Sequence, residues 1–129
     1  MKIEKIIDLL NATTHYIPDG KDLDVTYGSA SDLMSDVLAY LEGGNKTILI
    51  TGLLTTQVIR TATLMEISLV VFTRGKIPNE QIIEAAKKND IAVLSTKMTK
   101  YATCGILYSA GLESVDGYTF SGDDKDSCR

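Results

Sequence analysis

Among 129 residues the chain has no tryptophan, one histidine, two prolines and two cysteines, and it is short of cationic residues. Each shortage removes a class of protein. Cys104 sits in an apolar pattern and Cys128 beside the C-terminus, which makes no disulfide framework and suits a reduced, cytoplasmic setting. No apolar run approaches the roughly 18 residues of a membrane span, so no membrane partner is expected. The opening MKIEKIIDLL is too short and too charged for a signal peptide. Net charge is -4, without the basic footprint of a nucleic-acid binder. His15 has no evident nucleophile or metal partner in the sequence, and a structural or surface role is expected for it. No acid pair is spaced for acid–base work and no metal cluster is visible, so the sequence points to no catalytic residue, metal or cofactor.

What remains is regular. An apolar fraction of 44% fits one globular domain. Ile3, Ile6, Ile7 and Leu10 recur at helical spacing, and Pro18 to Gly20 is turn chemistry. Asp24 to Tyr27 reads as a short strand ending at Gly28. Leu33, Met34, Val37, Leu38 and Leu41 share one helical face, with Ser31 as N-cap and Gly43-Gly44 as the stop. Strands then end at Thr51, Thr73 and Ser95, spaced 22 residues apart each time. A one-sided helix follows each strand: Val58, Ile59, Ala62 and Met65; Ile82, Ile83 and Ala86; Ala102, Ile106 and Ala110, with Gly111 as C-cap. Continuous Val/Ile/Leu strands alternating with such helices predict an α/β fold. It is a three-layer-like parallel sheet built from βα repeats, with helices packed on it, in a single small domain spanning 1–112. From Glu113 the tail holds five acids against two bases and is expected to be largely disordered.

Ligands of open parallel sheets bind outside the carboxyl ends of the strands. There the sequence reads Thr51-Gly52, Thr73-Arg74-Gly75-Lys76 and Ser95-Thr96-Lys97, each before a helix N-terminus that favours anions. Glycines admit close backbone approach, and hydroxyls donate without repelling phosphate. The ordinary reading stands beside this one: Thr51, Thr55, Ser95 and Thr99 as strand ends and N-caps, Gly52 and Gly75 as turn residues, Arg74 and Lys76 as solvated charges. Asp32 and Asp36 flank Ser35 at a helix start, where acids suit the dipole. The run GGNKT, Gly43 to Thr47, is not a P-loop: its first glycine is missing and it precedes a strand.

The stretch from Asp24 to Leu112 resembles the DRTGG domain, which is similar to the N-terminal domain of bacterial HPr kinase. Ser31-Asp32-Leu33 with Ser35-Asp36-Val37-Leu38, then Ile50-Thr51-Gly52, then Thr73-Arg74-Gly75-Lys76 carry the likeness. Ser95-Thr96, Gly105 and Leu107-Tyr108 complete it. The resemblance implies a compact α/β regulatory module, not a catalyst. Such domains are appended to phosphotransacetylases and inserted between CBS domains of some pyrophosphatases, where nucleotide sensing is suspected; stand-alone versions sometimes lie beside iron-hydrogenase genes. The run nearest the namesake pentapeptide is Thr73 to Lys76, and the kinase half of HPr kinase is absent.

The expected function is therefore regulatory binding of a phosphorylated small molecule, such as an adenine nucleotide, at the carboxyl edge. The expected ligand-binding set is Asp32, Thr51, Gly52, Thr55, Thr73, Arg74, Gly75, Lys76, Ser95 and Thr96, with Arg74 as phosphate clamp. The alternative is a ligand-free interaction module that dimerises and docks on a partner enzyme. A homodimer is expected from the resemblance and from Gly105.

Overall fold

The protein is described here by a computed structural model covering residues 1–40 and 43–120. In chain order its elements are α1 (Ile3–Leu10), β1 (Thr13–Tyr16), β2 (Tyr27–Ala30), α2 (Met34–Tyr40), β3 (Thr47–Thr51) and α3 (Thr56–Leu64). They continue with β4 (Leu69–Phe72), α4 (Glu80–Lys88), β5 (Ala92–Ser95), α5 (Lys100–Ser109) and β6 (Glu113–Ser114). The sheet order is β1-β5-β4-β3-β2-β6. Strands β2 to β5 and β6 run parallel, while β1 pairs antiparallel with β5.

The central strands are apolar on both sides because both sides are covered. Ile48, Ile50, Leu69, Val71, Ala92 and Leu94 pack with α1 and with Leu107 of α5. Leu49, Val70, Phe72 and Val93 face the other way, onto Met34 and Val37 of α2, Val58, Ile59 and Ala62 of α3, and Ile82 and Ala86 of α4. This is a three-layer α/β domain.

Several expectations are corrected in detail. The strand expected at Asp24 to Tyr27 lies further on, at Tyr27–Ala30; Asp24 forms only an isolated bridge with Lys2. Strand β1 was not legible, because Thr13–Tyr16 lacks apolar alternation and exists as an edge held by β5. Ser31 does not cap α2. Its Oγ accepts from the Leu33 N–H at 3.1 Å, in a turn that precedes the helix. Leu33 and Leu38 are exposed, and Leu41 lies outside the described residues. In α5 the buried positions are Thr103 and Leu107, not Ala102, Ile106 and Ala110. Thr103 tolerates burial because its hydroxyl donates to the Thr99 carbonyl at 2.8 Å. The segment expected to be disordered from Glu113 begins with β6, and Phe120 meets Tyr108 edge to face, with ring centroids 6.2 Å apart. No helix among the described residues is long and apolar enough to cross a membrane.

Candidate functional site

Strand order decides where a ligand crevice can open. Helices α2, α3 and α4 leave their strands for one face of the sheet, whereas α5 leaves β5 for the other. The loops after β4 and β5 therefore part in opposite directions, and open α/β sheets bind ligands at such a point. Register brings Thr51, Phe72 and Ser95 into one row at the carboxyl ends.

Beyond β4 the chain turns sharply through two left-handed residues, Arg74 (φ 63) and Gly75 (φ 71). This turn laces the two loops together: the Arg74 N–H donates to the Met98 carbonyl at 2.7 Å and the Gly75 N–H to the Thr96 carbonyl at 2.8 Å. Beside the lacing lies a cavity of about 370 Å³. Gly75, Ile77, Ser95, Thr96, Lys97 and Met98 form one side, and the α1–β1 turn from Leu10 to Thr13 closes the other. Its wall thus combines apolar side chains with hydroxyls and a cation.

The end of β3 is filled differently. Oδ1 of Asp32 accepts from the Gly52 N–H at 2.7 Å and from the Thr51 hydroxyl at 3.2 Å. Oδ2 of Asp32 lies 3.1 Å from the Lys100 ammonium. Lys76 Nζ donates to the Gly52 carbonyl at 2.6 Å. The Gly52 N–H holds the Asp32 carboxyl below the usual carboxylate range, with Lys100 and Thr51 adding to the effect against a desolvation cost.

These facts sort the residues expected at the site. Asp32, Thr51, Gly52, Thr73 and Lys76 come together between β3 and β4. Arg74, Gly75, Ser95 and Thr96 come together between β4 and β5. Thr55 stands apart as the exposed N-cap residue of α3, its side chain making no capping bond. The Thr51–Gly52–Thr55 cradle is therefore not assembled, since the Gly52 amide and the Thr51 hydroxyl serve Asp32. Thr73 and Thr96 are buried, and their hydroxyls donate to the Thr51 and Leu10 carbonyls at 3.4 and 2.8 Å. Both act as braces.

Two residues at the edge escaped sequence reasoning. Lys100 opens α5 directly after the N-cap Thr99, a position that signalled only a helix start. His15, the chain's sole histidine, is placed by a β-bulge: Thr14 opposes Leu94 and Tyr16 opposes Val93, leaving His15 between them. Its Nε2 lies 2.7 Å from Ser95 Oγ. Nothing in the sequence announces the bulge. Arg74 and Lys76 after β4, and Lys97 and Lys100 after β5, set four cations at this edge, against Asp32 after β2, Asp36 in the first turn of α2 and Glu80 in the first turn of α4. Among the described residues, no group of three or more His, Cys, Asp or Glu could hold a metal ion.

Residues 2–110 match the DRTGG domain. The chain belongs to the DRTGG domain family. No curated protein matches it significantly. Among solved structures, this DRTGG domain is similar to the crystal structure of the CBS and DRTGG domains of the regulatory region of Clostridium perfringens pyrophosphatase, complexed with its activator, diadenosine tetraphosphate. The TM-score is 0.70 and the identity 22%, over 81% of this chain and 45% of that one. At that identity the likeness is one of fold, and this DRTGG domain spans less than half of the other chain.

Proposed function

We propose that this DRTGG domain is a regulatory module that holds a phosphorylated small molecule, best an adenine nucleotide, in the cavity at the carboxyl ends of β4 and β5. The observation that carries this reading is a cavity at the point where the loops diverge, at an edge where cations outnumber acids in a chain whose net charge is -4. Its size suits a small ligand. Leu10, Ile77 and Met98 offer an apolar wall for a base; Ser95 and Lys97 offer polar contacts for phosphate. Arg74 does not line the cavity but precedes its lining residue Gly75, and from that rim its side chain would reach in as a bidentate clamp; its backbone is held in a region that residues other than Gly, Asn and Asp seldom occupy. Such strain concentrates at functional sites. Asp32, Thr51, Gly52, Thr73 and Thr96 hold the loops, and the domain acts by binding rather than by catalysis. The activator in the pyrophosphatase structure, a dinucleotide, supports the choice of nucleotide.

A thermal-shift screen of AMP, ADP, ATP, diadenosine tetraphosphate and other phosphorylated metabolites tests the reading. A ligand at a hundred times its dissociation constant stabilises the fold by roughly 2.7 kcal/mol, on the order of 10 °C here. No shift with any of them would remove the proposal.

A second reading, a homodimer that docks on a partner enzyme, has its own support. The outer face of α5 shows Tyr101, 91% exposed, with Gly105 and Tyr108, flanked by the half-buried Ala102 and Ile106. A Cβ added at Gly105 would meet nothing within 4 Å, so no packing inside the chain explains the glycine. Gly105→Leu should weaken self-association while leaving the monomer folded. Sedimentation of wild type as a 14.0 kDa monomer at high concentration would sink the dimer.

A further inference from the structure

His15 is the residue that the β1 bulge inserts, and bulges re-aim side chains. Its ring meets Ser95, a 3% exposed residue that lines the proposed phosphate cavity. A serine hydroxyl has one hydrogen, and a neutral imidazole has one donor and one acceptor nitrogen. With the ring neutral and its hydrogen on Nδ1, the tautomer this switch requires, Ser95 donates to Nε2 and presents only lone pairs elsewhere, which repel a phosphate oxygen. With Nε2 protonated, His15 donates to Ser95 Oγ and the hydroxyl hydrogen is released.

We propose that His15 is a positioning residue for this cavity, setting whether the Ser95 hydroxyl donates to a bound phosphate, so that anion binding is coupled to proton uptake on His15. The inference rests on the phosphate-site reading and adds a residue and a pH dependence to it. A doubly protonated ring favours the anion twice, by releasing the Ser95 hydrogen and by its own charge. Reciprocity then requires the bound anion to favour protonation of the ring by the same factor.

The surroundings leave this switch uncrowded. β5 contributes Ser95 and no charge to the pairing with β1. α4, which also packs against β1, carries Glu80, Glu84, Lys87 and Lys88, two of each sign. Asp90 and Asp19 act on the neighbouring Tyr16, whose phenol burial already pushes up. For His15 itself the direction is down, and its cause is burial. Burial therefore favours the neutral ring when no ligand is bound, and proton uptake needs the bound anion to offset that cost.

A single histidine makes the experiment direct, since one set of ring signals reports on the whole chain. His15 is titrated by NMR in the full chain, free and with saturating inorganic phosphate, AMP or ATP. Dissociation constants are measured in parallel from about pH 5.5 to 8 for wild type, His15→Gln and Ser95→Ala. The glutamine amide keeps a permanent donor toward Ser95, and the ligand's own phosphate titration cancels between the proteins. The expected result is a rise of the His15 pKa on binding by about half to one unit. Wild-type affinity, relative to His15→Gln, should fall by the matching three- to tenfold or so as pH rises. Ser95→Ala should bind more weakly and shift the ring less. A ligand that binds wild type while leaving His15 titration and the relative affinity unchanged would overturn the coupling alone. Failure of every probe to bind would overturn the site reading and this inference with it.

Discussion

The ends of β3 and β5 each carry a buried hydroxyl, a turn and a nearby lysine, yet their donors meet different partners. At β3 the partner is Asp32, which reaches across from the β2–α2 turn and takes the Gly52 amide, the Thr51 hydroxyl and Lys100. At β5 the visitors come from the N-terminal segment: the Leu10 carbonyl takes the Thr96 hydroxyl and His15 meets Ser95. They leave a cavity beside Ser95, whereas the Gly52 amide is already taken by Asp32. A strand-end hydroxyl followed by a turn therefore does not by itself make an anion site. What the neighbouring segment brings decides whether the donors are satisfied internally or kept for a ligand.

The largest expected effect falls on the open half. If Arg74 clamps a phosphate, Arg74→Ala should weaken binding of the ligand found in the thermal screen about ten- to a hundredfold, the worth of a charge-assisted bond of roughly 1.5–3 kcal/mol. Stability should change by less than about 0.5 kcal/mol, because the side chain is exposed. Arg74→Lys should recover part of the affinity. Arg74→Gly should bind as poorly as the alanine variant yet be about 1 kcal/mol more stable than it, since alanine keeps the left-handed strain and glycine does not. Calorimetric titration and denaturant unfolding check both halves of the claim. Equal dissociation constants for wild type and Arg74→Ala would leave Thr73 to Lys76 as an ordinary turn.

Much of this architecture was legible in the sequence, for physical reasons. Strands β3, β4 and β5 announced themselves because strands buried on both faces need unbroken apolar residues. Helices α3 and α4 announced themselves because they bury one face only. The edges were not legible: β1 and β6 are strands by pairing, not by composition. The face of α5 was misread because Thr103 looks polar until its hydroxyl finds the Thr99 carbonyl. At the site, the convergence of loops follows from fold class, but the choice of partner does not. Asp32 sits about 20 residues before Gly52 in sequence, and only the parallel pairing of β2 with β3 brings them together. His15 is still further from Ser95, 80 residues away, and its placement depends on a bulge.

A smaller effect, on folding and not on binding, should come from the brace at β5. Thr96→Val is nearly isosteric and removes both the donor to the Leu10 carbonyl and the acceptor of the Met98 N–H, leaving a carbonyl in a buried setting without its bond. The expected loss is about 1–3 kcal/mol, read as a lower denaturant midpoint at unchanged slope. Ligand affinity, measured where the variant is still folded, should hold within a few-fold. A large loss of affinity with unchanged stability would make Thr96 a ligand contact and not a brace.

The smallest effect belongs to Asp32 at the filled end, and its sign can be worked out. Folding lowers its pKa from an ordinary 3.8, so the folded state binds a proton there less readily than the unfolded chain does. Its stabilisation is therefore fully present above the unfolded value and is lost as pH falls through the folded one. Because the carboxylate is 53% exposed, water screens it, and the contribution at neutral pH should stay below about 1 kcal/mol. Asp32→Asn keeps an oxygen for the Gly52 amide but cannot ionise. The stability gap between wild type and Asp32→Asn should thus reach its full size by about pH 6, hold above it, and close as pH falls below 4 or so. A gap that persists under acid would mean the carboxylate holds the turn by shape and not by charge. Asp32→Ala carries the comparison further, because it bares both the Gly52 amide and Lys100. Nucleotide affinity should then stay within a few-fold of wild type, since the ligand sits at β5; a tenfold gain would place the anion at the end of β3, with Asp32 as its resident competitor.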